Sequence, residues 1–339
     1  MQNTKIQKGK QSIAFEKTPY VHSYASIVRP KEGEGPLASY FDMITKDFEL
    51  GQNTWEEAES QLVTLAIKTA IKKGNLKPEQ IRYLFAGDLL GQLIGSTFGV
   101  KDLNIPVFGL YGACSTMGES LSLASMCISG GFADFATAVT SSHFASAEKQ
   151  FRFPLEYGNQ RPLSATWTVT GSGAVVLSSE ESDIKITGIT TGTIMDYGIR
   201  DSMNMGASMA PAACNVIYQN LTDFNLSVDY YDKIITGDLG YIGQEILFKL
   251  LRDNGYEISH LHMDCGIEIY DNEKQDTHSG GSGCGCCAST LCGYIFEQLK
   301  KKVWKRILFV PTGALLSTVS FNEGQNIPSI AHGIMFERV

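Results

Sequence analysis

The residue with the clearest chemical potential in this 339-residue chain is Cys114. It lies in the small-residue loop 112–116 (Gly-Ala-Cys-Ser-Thr), directly before an apolar stretch with helical spacing. Unpaired amides and the positive end of a helix dipole stabilise an anion at such a position, so they favour the thiolate form of cysteine. The spacing therefore predicts a nucleophilic Cys114. The alternative is a buried, unreactive cysteine among small residues.

A second glycine-rich loop, residues 283–287 (Gly-Cys-Gly-Cys-Cys), matches the first and carries three further cysteines. With Cys292 these cysteines have the spacing Cys-x-Cys-Cys-x4-Cys, whereas a structural zinc site usually shows paired Cys-x-x-Cys units. We therefore predict no metal site. We interpret these residues as small side chains at a tightly packed helix start, and all eight cysteines of the chain as reduced thiols.

The two loops belong to an internal repeat. Gly-Asp-Leu follows an apolar strand pattern at 87–89 and again at 237–239, and each copy continues to a Cys loop, a helix and another strand. This twofold alternation predicts an α/β fold of two similar halves, with mixed, mainly parallel sheets in a layered arrangement with helices. We place the first half at residues 1–185 and the second at 186–339.

Periodicity also locates individual elements. We expect an amphipathic helix at 55–73 and strands at 135–139 and 307–310. Gly171-Ser172-Gly173 lacks the lysine of a phosphate-binding loop, so we interpret it as a site of close backbone packing. The polar, glycine-rich stretch 271–281 is predicted to be a surface loop that the first copy lacks.

The overall charge and hydropathy exclude several function classes. The chain has 28 Lys and Arg against 36 Asp and Glu, a net charge of −8, which opposes non-specific binding to nucleic acid or anionic lipid. No apolar run approaches the ~20 residues of a spanning helix. The N-terminal region lacks the hydrophobic stretch of a signal peptide. We therefore expect an intracellular protein with no transmembrane segment and no nucleic-acid partner.

Two arginines, Arg152 and Arg161, stand in a segment rich in aromatic residues. A guanidinium group can bind a carboxylate through two parallel hydrogen bonds, and aromatic faces can stack on a planar ring. The segment is therefore a candidate site for an aromatic dicarboxylate. The alternative is that these arginines form structural ion pairs, with Glu148 or Glu156 as partners.

Several motifs resemble the thiolase-like superfamily, especially ketoacyl-synthase III. They are the loop 112–115, the segment 170–177 (Thr-Gly-Ser-Gly-Ala-Val-Val-Leu) and the loop 283–287. More specifically, the segments 149–156, 160–162 and 167–171, together with 283–288, resemble the stage V sporulation protein AD family of endospore-forming bacteria. The resemblance covers essentially the whole chain and implies a thiolase-like duplicated fold.

The resemblance also implies a catalytic site from which this chain departs. Condensing enzymes of the superfamily combine a nucleophilic Cys with a His, and with an Asn or second His, that stabilise the thioester oxyanion. Cys114 matches the nucleophile, but Asp238 stands where the His is expected and Cys284 where the Asn is expected. Losing one oxyanion donor costs about 2.7–4 kcal/mol. We therefore expect no catalytic residues and a vestigial Cys114, with His143 as the one histidine that reaches the pocket.

By resemblance, the chain is a non-catalytic protein of spore formation. The implied function is to bind dipicolinic acid, free or as its calcium chelate, and to work with membrane channel partners in its uptake into the spore and its release in germination. No cofactor is expected, and calcium enters only as part of the ligand. The expected ligand-binding residues are Cys114, His143, Asp238, Cys284, Arg152 and Arg161.

Two other functions stay open. One alternative is an active acyl-transferring or condensing enzyme that uses Cys114. The other is a purely structural scaffold for channel partners. Since superfamily members dimerise by pairing an edge strand, we also expect a homodimer formed near residues 135–139. The expected location is peripheral, at the forespore or spore inner membrane, where the partners would hold a chain that has no spanning segment.

Overall fold

The computed structural model describes residues 6–47 and 50–339, which form a large mixed β-sheet and its covering helices. The strands are β1 (Gln7–Lys8), β2 (Ser12–Ala14), β3 (Tyr20–Val28), β4 (Met43–Ile44), β5 (Tyr83–Gly87), β6 (Val107–Gly109), β7 (Phe135–Ser142), β8 (Trp167–Thr168), β9 (Gly171–Ser178), β10 (Ile184–Thr191), β11 (Lys233–Thr236), β12 (His262–Asp264), β13 (Gly281–Ser282), β14 (Arg306–Val310), β15 (Thr312–Ala314) and β16 (Ser329–Arg338). The helices are α1 (Pro30–Gly33), α2 (Trp55–Lys73), α3 (Ile94–Val100), α4 (Thr116–Ser129), α5 (Phe144–Phe151), α6 (Met205–Phe224), α7 (Gly240–Asp253), α8 (Cys265–Glu268), α9 (Asn272–Gln275), α10 (Cys284–Thr290), α11 (Phe296–Lys300) and α12 (Thr318–Asn322), with a π-helical turn at Leu291–Ile295.

The sheet contains one strand arrangement twice. The strand order is β3-β9-β7-β5-β6 in the first half and β10-β16-β14-β11-β12 in the second. In each half the first two neighbouring pairs are antiparallel and the last two are parallel. The halves join where β10 meets β3, with Lys185 opposite Tyr20. The α/β duplicated fold is therefore confirmed, while the domain boundary at residue 185 stays a prediction.

Helix α2 has the bounds that its periodicity predicts. The Thr54 hydroxyl accepts a hydrogen bond from the Glu57 amide at 3.2 Å, which caps the N-terminus. Acidic residues occupy the first turn and lysines the last, so both ends oppose the helix dipole. The buried face of α2 packs on β3, β7 and β9 of the first half. Among residues 6–47 and 50–339, none of the helices combines the length and apolar character that crossing a membrane requires.

Helices α4 and α10 form the layer between the halves. Helix α4 packs on β7 of its own half and on β16 of the other, and α10 packs on β7 and β9 of the first half. A side chain at Gly173 of β9 would place its Cβ 2.4 Å from the Ala288 carbonyl oxygen, so this glycine permits the close approach of α10. The loops with Cys114 and Cys284, which open these two helices, therefore meet, and the close-packing interpretation of residues 171–173 is confirmed.

Two sequence predictions about the surface are wrong. Strand β7, which contains the predicted dimer strand 135–139, is paired with β5 on one side and β9 on the other, so it has no edge to offer. In the described part of the chain, the outer strand of the first half is β6, where Val107 and Phe108 are 43% and 51% exposed. The predicted surface loop 271–281 instead contains α9 and enters β13, and Thr277 and Ser279 are buried, because β13 pairs with β8.

Candidate functional site

Cys114 lies in a tight turn that leads into α4. Residues Ala113–Ser115 form one turn of 3₁₀ helix, in which the Ser115 hydroxyl donates to the Gly112 carbonyl at 2.7 Å. The second half presses against this turn at Gly313 of β15, where a Cβ would lie 2.2 Å from the Gly112 oxygen. The Cys114 side chain is therefore held at the junction of the halves, and it is buried.

Asp238 is the polar centre of this junction. Its carboxylate accepts hydrogen bonds from the Gly283 amide at 2.9 Å and from the Thr312 hydroxyl at 2.8 Å, and it lies beside the Cys114 thiol. Burial raises the pKa of Asp238 to about 7, although the contacts with Gly283, Cys114 and Thr312 oppose that rise. One carboxyl group thus connects the strand end of β11, the second Cys loop, β15 and the first Cys loop.

The same contacts change the acidity of Cys114. Burial, then the charge of Asp238, then that of Cys284 raise the pKa of the Cys114 thiol well above its usual range. A negative charge beside a thiol stabilises the protonated form and opposes the thiolate. Desolvation and a like charge therefore oppose the predicted thiolate and favour the alternative, a buried and unreactive cysteine.

Cys284 lies against Cys114 in a small apolar cluster with Leu89 and Ala147. Its thiol donates to the Ser141 carbonyl at 2.9 Å, and burial raises the pKa of this thiol well above its usual range. The Thr140 hydroxyl donates to the Cys284 carbonyl at 2.9 Å. Cys284 therefore packs α10 on β7. Its S–H group donates to a backbone carbonyl and does not point toward a ligand.

His143 is the N-cap residue of α5. Its Nδ1 atom accepts a hydrogen bond from the Ala145 amide at 3.2 Å, and the side chain is buried. It does not line the cavity beside Cys114. The imidazole position is explained by the helix cap.

A narrow cavity of about 40 Å³ adjoins Cys114, which is room for a few water molecules. Its lining is mostly apolar and aromatic and includes Leu89, Tyr111, Ala147, Phe151, Met205 and Leu316. Asp238 and Cys284 lie behind the Cys114 wall and are absent from the lining. Glu148 and Arg152 supply the charged groups of the lining.

Arg152 reaches the cavity, and Arg161 does not. The Arg152 guanidinium donates to Glu148 Oε1 at 2.6 Å, which is the ion pair that the sequence left open as an alternative. The Arg161 guanidinium donates to the carbonyl and carboxylate of Asp276 at 2.9 and 3.1 Å and lies 4.8 Å from the centre of the Trp167 ring. The structure therefore brings Cys114, Asp238, Cys284 and Arg152 together and leaves Arg161 outside.

Sequence reasoning missed a buried acid pair behind the site. Glu59 accepts hydrogen bonds from the hydroxyls of Ser141 at 3.0 Å and Ser146 at 2.7 Å, and Asp88 accepts from the Ser96 amide at 2.7 Å. Burial, and for Glu59 also the charge of Asp88, raises the pKa of both carboxyl groups. The repeat contains a signal for this pair, because Asp88 in Gly-Asp-Leu 87–89 is the counterpart of Asp238.

The fold and the site have known relatives. Among solved structures, the chain resembles 3-oxoacyl-[acyl-carrier-protein] synthase III from Aquifex aeolicus VF5, with a TM-score of 0.57 and 14% identity over 94% of this chain and 99% of that one. It also resembles OleA of Xanthomonas campestris, with a TM-score of 0.61 and 14% identity over 96% and 99%. At these identities the likeness shows a thiolase-like fold alone.

A relative found by sequence comparison has a much higher sequence identity to this chain. The family model of Stage V sporulation protein AD matches residues 9–337. The chain is 46% identical over 330 residues to Stage V sporulation protein AD of Bacillus subtilis (strain 168), and the match covers 97% of each chain. The chain belongs to the Stage V sporulation protein AD family.

Proposed function

We propose that this chain is a non-catalytic, thiolase-fold protein of sporulation that binds dipicolinic acid, as the free acid or its calcium chelate, in the cavity beside Cys114. In this proposal it works with membrane channel partners, at the forespore or spore inner membrane, in uptake into the spore and in release during germination. The observation that carries the non-catalytic part is the position of the buried Asp238 carboxylate beside the Cys114 thiol.

A carboxylate at this position opposes condensation in two ways. It holds the proton on the Cys114 sulfur, which lowers the fraction of thiolate nucleophile. It also places negative charge beside any thioester oxyanion that would form there, where a catalyst needs hydrogen-bond donors worth about 2.7–4 kcal/mol each. Cys284 does not compensate, because its S–H is bonded to the Ser141 carbonyl.

The lining of the cavity supports a small anionic ring as the ligand. Within the described residues, Arg152 is the cation of the lining, and a guanidinium group suits a carboxylate. Tyr111 and Phe151 supply aromatic walls for a planar ring. Asp238 is not available to a bound calcium ion, since its oxygens accept hydrogen bonds from Gly283 and Thr312 and it does not line the cavity.

Calorimetry with dipicolinate, with and without calcium, tests the ligand. The wild type should release or absorb heat at millimolar ligand, and Cys114→Ala should still bind, because no covalent bond to sulfur is formed. Ala147→Leu, which fills the cavity, should weaken binding, whereas Cys127→Ala, far from the cavity lining, should not. Undetectable binding of dipicolinate by the wild type in both conditions would overturn the ligand assignment.

An acyl-transferring enzyme is the second candidate. It is favoured by the position of Cys114 at the start of α4, in a fold shared with a 3-oxoacyl synthase. Intact-protein mass spectrometry after incubation with acyl-coenzyme A separates the two functions. We expect no added acyl mass, and an adduct that requires Cys114 and turns over would replace our proposal with this one.

We also propose a homodimer, with β6 rather than β7 as the pairing strand. The edge of β6 that faces away from β5 carries no strand in the described part of the chain. Val107 and Phe108 are both exposed there. Antiparallel pairing with a second copy would cover these groups and satisfy the open edge.

A further inference from the structure

An ion pair on the wall of the Cys114 cavity is unusually well buried. Glu148 and Arg152 lie one turn apart at the end of α5, and their side chains are 5% and 14% exposed. The shortest N···O distance is 2.6 Å. Charges removed from water to this extent must be well compensated, because each carries a desolvation penalty of several kcal/mol.

The compensation of Glu148 is incomplete. Its Oε1 atom accepts from Arg152, but its buried Oε2 atom has no hydrogen-bond partner among the described residues. A carboxylate and a guanidinium group bind most strongly through two parallel hydrogen bonds. A ligand carboxylate that approaches along the open face of the guanidinium group can make both, whereas Glu148, attached to the same helix, makes one.

Glu148 also has a place to move to. It borders a second cavity of about 350 Å³, which is lined by Trp55, Phe144, Leu155 and Gly158. The Oε2 atom already points toward Gly158, because a Cβ at that glycine would lie 2.9 Å from it. Arg152 in turn borders both the narrow Cys114 cavity and a wider groove of about 590 Å³. The pair therefore separates three spaces.

We propose that Glu148 occupies the place of a ligand carboxylate on Arg152, and that a carboxylate ligand enters the cavity by displacing Glu148 toward Gly158. This inference rests on the proposed function and adds how the site is gated and what it selects. Exchange of one carboxylate for another keeps the Arg152 guanidinium paired throughout, so the buried cation is never left alone. The movement also enlarges a cavity that in its present form holds only a few waters.

Calorimetry on point variants tests the exchange, with dipicolinate and its neutral diamide as probes. Glu148→Gln removes the competing charge and should bind dipicolinate about tenfold more tightly, the scale of one hydrogen bond to a charged group. Its affinity for the diamide should not change. Arg152→Gln should weaken dipicolinate binding by at least about tenfold. Arg161→Gln, which breaks the pair with Asp276 outside the cavity, is the matched control and should match the wild type.

Two further variants keep the test decisive if Glu148→Gln folds poorly. Glu148→Asp retains the charge but shortens the reach to Arg152, so it should also tighten binding. Gly158→Ala fills the space into which Glu148 would move, so this variant should bind dipicolinate more weakly. If the wild type binds dipicolinate but neither Glu148 variant binds more tightly, the exchange is wrong and the proposed function stands. If neither the wild type nor the Glu148 variants bind dipicolinate, the carboxylate exchange and the proposed ligand are both wrong.

Discussion

Asp88 and Asp238 occupy equivalent positions in the two halves, yet they have different partners. Each follows a glycine at the end of the equivalent strand, β5 or β11, and each is buried. Asp238 lies beside the Cys114 thiol, whereas Asp88 lies beside Glu59. The first half thus contributes the buried Glu59–Asp88 pair behind the site. The second half contributes the Asp238 carboxylate at the centre of the site.

Replacing Asp238 should make Cys114 more reactive. Asp238→Asn removes the charge that, after burial, contributes most to the raised pKa of the thiol. We expect the rate of iodoacetamide modification at Cys114, measured by mass spectrometry at neutral pH, to rise roughly tenfold for each unit by which the pKa falls. The exposed Asp229→Asn is the control. An unchanged or slower rate would show that burial alone sets the acidity.

Stability should fall as the pH rises from about 6.5 to about 8. Burial raises the pKa of Asp238 to about 7 and that of the Glu59–Asp88 pair above its ordinary range, so the folded state binds more protons than the unfolded state in this window. The half-buried His262 and the buried His332 have lowered pKa values and act in the opposite direction, but only below about pH 6.5. Denaturant unfolding at the two pH values measures the difference.

The Glu59→Gln variant tests how much of the pH dependence of stability comes from Glu59. A neutral amide can keep the contacts to Ser141 and Ser146 without a titrating charge. The loss of unfolding free energy between the two pH values should shrink by roughly 1 kcal/mol relative to the wild type. Glu257→Gln, on the protein surface, should leave the loss unchanged. Equal pH dependence in Glu59→Gln and the wild type would contradict the assignment.

Gly173→Ala should destabilise the junction of the halves. The added Cβ would lie 2.4 Å from the Ala288 carbonyl oxygen, so α10 would have to move away from β9. Overpacking of this kind costs about 1–3 kcal/mol of unfolding free energy. Gly91→Ala is the matched control, because its nearest neighbour would be 3.9 Å away. Equal unfolding midpoints for the two variants would argue against tight packing at Gly173.

Light scattering tests the dimer edge. The wild type should have the mass of two chains, and Phe108→Asp on β6 should reduce it to one, because a charge at the pairing strand opposes association. Val303→Asp, at an exposed position of the second half, should leave the mass unchanged. A monomeric wild type, or a dimer that survives Phe108→Asp, would remove β6 as the interface.

The sequence by itself determined the duplicated α/β fold and the meeting of the two Cys loops. Helix 55–73 and the paired Gly-Asp-Leu segments were readable because helical periodicity and strand-ending turns are local properties of the chain. The repeat then implied that both copies fold alike, and the shared strand order bears this out.

Only the tertiary structure decided which charge lies beside Cys114, the separation of Arg152 from Arg161 and the identity of the edge strand. The acidity of Cys114 depends on Asp238, which lies more than a hundred residues away along the chain. Whether an arginine borders a cavity, or a strand has a free edge, depends on segments that meet only on folding. Desolvation and pairing are non-local, so no pattern of neighbouring residues encodes them.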